Sequence, residues 1–458
     1  MKQELTKGNI VQVIIRFAVP YLISCFLQNF YGVADLFITG QFNGAATITA
    51  VSTGSQIMHM ITVIIVGLAM GATVSISHGA GAKDNQNVSK TIGNAVSLFL
   101  IFSLGFTILL LFLVDGIIGV ISTPAESIGE TRQYLMVCFA GVPFITAYNV
   151  IGSIFRGLGD TKRPMYIVFA TGVINVVLDF LLIGPCGMGA MGAALATVAA
   201  QGLSVIVALI LLKKGDNGIH LERKDFVFEK QILRNILTVG VPVACQDGFI
   251  QISFLVITAI ANGRGVVIAA SVGIVEKIIS FLFLVPSAML STVSAITAQN
   301  VGANEHKRGK ETLKYGIFIC LVFGLLAVVV CEIAAEPIMG LFAGNEHGVI
   351  EMGSQYLRTY VFDCLIAGVH FCFSGYFCAY GKASYSFIHN LLSIILTRVP
   401  GAYLASVFYP DNLLPMGIAA PLGSLLSAII CLILYKWKFT GLCWNAENSQ
   451  FWGIIGKE

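Results

Sequence analysis

The sequence predicts an all-α membrane protein: twelve transmembrane helices in two six-helix lobes related by a pseudo-two-fold axis along the membrane normal. Apolar runs of bilayer length, a one-sided distribution of lysine and arginine, and an internal repeat predict it. Of the 458 residues, 56% are hydrophobic and 11% are charged, against roughly a quarter charged in a soluble domain. So little charge cannot cover a soluble fold of this size. The apolar residues come instead in stretches of about 20, the length a helix needs to cross a hydrocarbon core of about 30 Å.

Taken in order, the chain opens on a short polar segment, Met1 to Asn9. No small-residue cleavage site follows the first apolar stretch, so it reads as a retained helix and not a signal peptide. Apolar segments fall near residues 12–38, 47–76, 91–114, 132–154, 164–184 and 190–212, which make an N-lobe over 1–212. A charged stretch at 213–231 reads as a linker, with room for a short surface helix. Six further segments, near 232–260, 267–296, 314–335, 355–378, 385–408 and 416–436, make a C-lobe over 232–438, followed by a tail at 439–458.

The linkers between spans alternate in charge. Lys83 and Lys90, then Arg156, Lys162 and Arg163, then Lys213 to Arg234, then Lys307 to Lys314, then Lys382 fall on one side, with the basic residues of both termini. Of the 27 Lys and Arg, only Arg132, Arg264, Lys277, Arg358 and Arg398 lie elsewhere. The positive-inside tendency makes the basic side cytoplasmic, so both termini and the 213–231 linker are expected there.

Sliding the sequence by about 222 residues sets Ala18-Val19-Pro20 on Gly240-Val241-Pro242, Tyr134-Leu135 on Tyr356-Leu357, and Gly159 on Gly381. With small gaps, Gly81-Ala82 meets Gly302-Ala303 and Met191-Gly192 meets Met416-Gly417. Each half holds an even number of spans and so enters and leaves on the same side, which makes the repeats parallel. Transporters are commonly built so, with the pathway between the halves.

Several function classes lose support at once. The net charge is only +3 and the basic residues form short clusters without interleaved aromatics, so nothing favours nucleic acid. The eleven cysteines are scattered, with no C-x-x-C pair or His-bearing metal spacing, and read as small buried hydrophobes. No phosphate-binding G-x-x-x-x-G-K-[ST] loop occurs, so uphill transport would draw on an ion gradient. No intramembrane His/Glu metal motif or Ser/His pair suggests an enzyme, and no cofactor is implied.

Ionisable groups inside spans are costly and mark candidate sites. Asp35 lies on the first span and Asp179 on the fifth, neither with a basic residue within helical reach. Asn175 and Asp179 share a helix face at i, i+4. From an inner edge near 164, Asp179 lies about 22 Å deep, in the outer half of the core, and Thr197 reaches a similar depth from the outer start of span six. Such carboxylates either take up a proton, bind a small hard cation with the Asn and Thr oxygens, or simply brace helices through neighbouring hydroxyls.

In the second half Asp247, Glu276, Lys277, Asp363 and Arg398 are embedded. A structural ion pair of Arg398 with Asp363 or Asp247 stands beside a functional role, and adjacent Glu276 and Lys277 point to different partners. Pro20 and Pro242 permit bends early in the first span of each half. His59, His370 and His389 read as isolated pore-lining or packing groups. Tyr21, Gln28, Phe30, Tyr31 and Tyr148 are candidates for an adaptable substrate cavity.

Over essentially its whole length the chain resembles the MATE (multidrug and toxic compound extrusion) transporters. The residues that carry this are Ala18-Val19-Pro20 with Tyr31-Gly32-Val33-Ala34-Asp35 and Gly40, Ser75 to Ala82 before Lys83-Asp84, Phe155-Arg156-Gly157-Leu158-Gly159-Asp160-Thr161, and Asn175-Val176-Val177-Leu178-Asp179 with Thr197 beyond. The resemblance implies an N-lobe site for H⁺ or Na⁺ at Asp35, Asn175, Asp179 and Thr197, with Pro20 at the bend position. No other metal is implied. Arg156 and Asp160 are expected to serve structure or gating. Another branch of the family carries acidic ligands in the C-lobe. Ile250 or Gln251 and Ala367 fall at those positions here, so no family role passes to Asp247, Glu276 or Asp363.

The expected function is that of a cation-coupled antiporter, not an enzyme, that exports amphipathic and cationic small molecules by alternating access, as a monomer in a bacterial inner (plasma) membrane. The rival is a flippase for lipid-linked saccharides, since distant relatives share the two-lobe design. Such a protein needs a strongly cationic cavity for pyrophosphate, whereas the N-lobe candidates are acidic.

Overall fold

The computed structural model describes residues 4–121, 123–214, 221–344 and 346–439. The linker residues 215–220 and the tail from 440 onward, both singled out from the sequence, lie outside the described residues. All regular structure among the described residues is helical. The first half comprises α1 (Ile10–Phe42), α2 (Ala45–Gly81), α3 (Asn85–Val120), α4 (Ile128–Ala140), α5 (Val142–Gly157), α6 (Lys162–Ile183) and α7 (Gly189–Lys214). The second comprises α8 (Lys230–Asn262), α9 (Val266–Leu282), α10 (Leu284–Gly302), α11 (His306–Ala343), α12 (His347–Tyr360), α13 (Phe362–Ala379), α14 (Ala383–Ser393), α15 (Val399–Phe408) and α16 (Leu414–Phe439).

These make eleven spans long and apolar enough to cross a bilayer, and twelve when the bent pair α4 and α5 counts as one. Every apolar segment read from the sequence lies on one of the twelve. Contacts divide the chain into two compact units, one of Met1–Glu4 with Arg16–Leu237 and one of Leu5–Ile15 with Thr238–Glu458.

Local chemistry explains where spans break. The helix of span four turns by 50° between α4 and α5, and Pro143 follows the break at Gly141 as a residue suited to a first helical turn. A side chain at Gly141 would overlap Val198 of α7, so only glycine permits that approach. In α11, Ala334 leaves helical geometry (φ −114°, ψ 19°) three residues before Pro337, whose ring crowds the preceding turn and which donates no N–H. α1, by contrast, runs as one helix through Pro20, and the Ser24 hydroxyl bonds back to the Pro20 carbonyl at 2.9 Å.

The repeat reappears in the backbone. Lys83 and Asn304, at matched positions after α2 and α10, both take left-handed conformations (φ 57° and 62°), as do Gly159 and Gly381 (φ 85° and 69°). The same reverse hydrogen bond closes each turn: Asp84 N to Gly79 O, Glu305 N to Asn300 O, Asp160 N to Phe155 O and Lys382 N to Phe377 O. These are helix ends of the Schellman type, in which a left-handed residue lets later amides reach carbonyls of the last turn.

Each unit has its own apolar core. Tyr134, Leu135 and Phe139 of α4 pack with Ile61 and Ile65 of α2 and Val114 of α3, and Gly54 leaves room for the Tyr134 ring. In the second unit Tyr356, Tyr360 and Val361 pack with Val272 and Val275 of α9 and Ala419 of α16. Outside these cores the helices are apolar too: Phe112 is 84% exposed and Ile333 80%. A water-facing surface of that kind would aggregate, whereas lipid tails solvate it.

The expected surface helix in the linker is a single 3-10 turn, Arg223–Phe226, closed by reciprocal bonds between Glu222 and Asp225. Asn94 of α3 donates to the carbonyls of Asp225 and Val227 and accepts from the Glu229 amide. Gly93 lets that backbone lie directly on α3, and Lys90 pairs with Glu229 at 2.6 Å.

Candidate cation and substrate site

Tyr21, Cys25, Gln28, Tyr31 and Asp35 recur every three or four residues along α1 and so form one polar stripe on a helix otherwise rich in exposed apolar side chains. The Arg156 guanidinium, in the last turn of α5, lies 5.0 Å from the centre of the Tyr21 ring and bonds the Ser153 hydroxyl at 2.6 Å. Gln28 donates to the Tyr148 hydroxyl at 3.4 Å. The Tyr31 hydroxyl donates to the Val168 carbonyl of α6. Gly172, one turn further along α6, makes room for that ring, since any side chain there would overlap it.

At the end of the stripe Asp35 meets α6 and α7. Its carboxyl and that of Asp179 lie within electrostatic range of each other, and the Thr197 hydroxyl approaches Asp35 Oδ2 at 3.5 Å. Asp35, Asn175 and Asp179 are buried, Asp179 completely. Four of the six amide and carboxyl atoms they present have no partner: Asp35 Oδ1, both Asp179 oxygens and Asn175 Nδ2. The structure thus places Asp35 near Asp179 and Thr197, with Asn175 one helical turn before Asp179 on α6.

Two buried carboxyls within electrostatic range, with no basic group paired to either among the described residues, favour the uptake of one positive charge. A proton shared by the pair supplies it. So does a small cation, for which carboxylate, amide and hydroxyl oxygens are the right hard donors. On the outer side of the same helices an apolar groove of about 540 Å³ is lined by Phe30, Phe37, Val177 and Phe180. Phe30 therefore stands apart from the polar stripe that carries Tyr21, Gln28 and Tyr31.

The second unit holds a larger polar network than the sequence suggested. Arg398 sits at the end of a π-helical turn, Ile394–Arg398, inside the span formed by α14 and α15. Such a turn inserts a residue and re-aims the side chains around it. Its Nη2 bonds the Tyr360 hydroxyl at 2.5 Å, its Nη1 lies 4.0 Å from Asp363 Oδ2, and its guanidinium lies 4.7 Å from the centre of the Phe254 ring. Of the two partners considered for Arg398, Asp363 is the one in place.

Ser424 donates to Asp363 and lies 3.3 Å from His370 Nε2. His389 Nε2 lies 3.0 Å from the Ser374 hydroxyl, and the two imidazoles are 5.5 Å apart. The reading of His370 and His389 as isolated is therefore corrected: their partners sit on other helices, which spacing along the chain does not reveal. Glu276 accepts from Thr258 at 2.9 Å while Lys277 is exposed, so the neighbours do diverge. Asp160 caps α6, accepting from the Lys162 and Arg163 amides at 3.1 Å.

Comparison with known proteins agrees with this architecture. The MatE family profile matches residues 20–181 and 242–404, one match in each half. The probable multidrug resistance protein YoeA of Bacillus subtilis (strain 168) is 23% identical over 445 residues, covering 95% of this chain and 96% of that protein. A structure described as the outward-facing conformation of a multidrug resistance MATE family transporter superposes with a TM-score of 0.88 at 23% identity, covering 95% of this chain and 97% of that one. A Pyrococcus furiosus transporter of the MOP superfamily, described as having a binding pocket of reverse polarity that suggests a different function, superposes with a TM-score of 0.89 at 23% identity and the same coverage. With both halves matched, this twelve-span, two-lobe chain belongs to the MatE family of multidrug and toxic compound extrusion transporters.

Proposed function

We propose that the protein is a cation-coupled antiporter that exports amphipathic, cationic compounds, with H⁺ or Na⁺ bound at Asp35, Asn175, Asp179 and Thr197 driving substrate release by alternating access. The observation that carries this reading is the burial of the Asp35 and Asp179 carboxyls near each other, with three of their four oxygens unpartnered and no basic partner among the described residues. Two anions so placed bind a positive charge reversibly, which is what ion coupling needs. A site that stabilises one conformation when occupied and another when empty shifts the equilibrium by its differential affinity for the two.

The polar stripe of Tyr21, Gln28 and Tyr31 with Tyr148 is the proposed substrate-contacting surface, aromatic enough for an amphipathic cation. Multidrug resistance in the description of YoeA supports the substrate class, and the outward-facing relative supports alternating access. In a bacterial plasma membrane with both termini inside, the basic loops would face the cytoplasm.

The test is efflux of a fluorescent cationic dye from proteoliposomes under an imposed pH or Na⁺ gradient, comparing wild type with Asp35→Asn. One gradient should drive dye movement in the wild type and not in the variant. Equal rates in both would overturn the assignment of the site, and no gradient-driven movement would overturn the antiport reading.

A further inference from the structure

The second unit contains one fully buried acid, Asp363, and one half-buried acid, Glu276, and it treats them differently from the acids of the first. Asp363 is fully buried; one of its oxygens accepts from Ser424, and the other has only Arg398 nearby, at 4.0 Å. Glu276 has one oxygen bonded to Thr258 and one without a partner, and it lies within electrostatic range of Arg398. Arg398 is held from three directions, by the Tyr360 hydroxyl, the Phe254 ring and Asp363, and is 8% exposed.

The repeat makes the comparison sharper. Tyr356 corresponds to Tyr134, and each tyrosine lies near its own unit's acidic group, Glu276 in one and Asp35 in the other. Allowing for the residue inserted by the π turn, Arg398 falls opposite Asn175. The place of a neutral amide beside an unpaired acid pair is thus taken by a guanidinium 4.0 Å from Asp363 and within electrostatic range of Glu276.

We infer that Arg398 is a tethered cation that does permanently for Asp363 and Glu276 what an exchangeable ion does for Asp35 and Asp179, so that the C-lobe binds no coupling ion of its own. The π turn is the device that delivers it, because a regular helix would point residue 398 about 100° away. The inference deepens the proposed coupling at Asp35 by limiting the exchangeable sites to one lobe, and its test does not depend on that coupling.

The experiment uses the full-length protein purified in detergent, with thermal stability read against low-millimolar guanidinium chloride. Arg398→Ala should gain stability saturably, because free guanidinium refills the place its side chain leaves beside Asp363; a ligand concentration ten times Kd corresponds to a rise of about 1–2 °C. Wild type should show no such gain, nor should the triple variant Arg398→Ala, Asp363→Asn, Glu276→Gln. Measured in the Asp35→Asn background, the result should be unchanged, which separates it from the fate of the N-lobe reading. No guanidinium response in Arg398→Ala, or an equal response in the triple variant, would overturn the inference. Should Arg398→Ala fail to fold, the neutral variant Arg398→Gln, Asp363→Asn, Glu276→Gln decides: folding supports the tethered charge, and failure assigns Arg398 to packing on Phe254 and Tyr360 and overturns it.

Discussion

Replacing Asn94 by alanine should release the segment that joins the halves from the body of the N-lobe. The Asn94 amide donates to the carbonyls of Asp225 at 3.2 Å and Val227 at 3.1 Å, and its oxygen accepts from the Glu229 amide at 2.8 Å. One side chain thus satisfies three backbone groups of a segment whose own turn is a single 3-10 loop. At about 1 kcal/mol net for each bond, with more where a group is left buried and unpaired, the loss is about 3 kcal/mol. That energy belongs to local opening and not to global unfolding, because the spans themselves are held by their cores. Amide hydrogen exchange at residues 223–229 should therefore accelerate by roughly 10²-fold in Asn94→Ala, with the spans unchanged. Unaltered protection of the Glu229 amide would refute the reasoning, since that amide has no other bond to account for it.

Four further outcomes follow from backbone and packing. Gly381→Ala and Gly159→Ala each place a Cβ on a residue at φ 69° and 85°, and each should cost about 1–2 kcal/mol in chemical denaturation. Lys83→Gly should do the opposite and add about 1 kcal/mol, because Lys83 holds φ 57° at the end of α2. Gly172→Val should destabilise by about 1–3 kcal/mol through overlap with the Tyr31 ring; a double variant Gly172→Val with Tyr31→Ala, measured the same way, should recover most of the loss. Arg264→Ala should free the carbonyls of Tyr409 and Pro410, read as faster proteolysis near 409–413.

The spans were legible because hydrocarbon demands both length and apolarity, and no tertiary contact can waive either. The breaks within them were less so. A proline two residues after Gly141 signals one, but the π turn at Ile394–Arg398 has no proline or glycine in it, and the split between α9 and α10 at Phe283 lies before Pro286 and not at it. For the site, i, i+4 spacing puts Asn175 and Asp179 on one face, yet only the fold shows that Asp35 comes within electrostatic range of Asp179 and that Tyr31 turns to the Val168 carbonyl. Which of Asp247 and Asp363 meets Arg398 depends on the rotation of each helix about its axis, which hydropathy does not encode in a chain that is apolar all round.

The most direct test of the central claim runs the proposed exchange backwards. If ion and substrate compete through the Asp35 and Asp179 pair, the coupling free energy is reciprocal, and a dye gradient must move the ion as surely as an ion gradient moves the dye. Proteoliposomes loaded with cationic dye and diluted into dye-free buffer, without any ion gradient, should take up H⁺ or ²²Na⁺ as dye leaves, and Asp179→Asn should abolish that uptake while still binding dye. Dye-driven ion uptake that survives in both Asp35→Asn and Asp179→Asn would contradict the account.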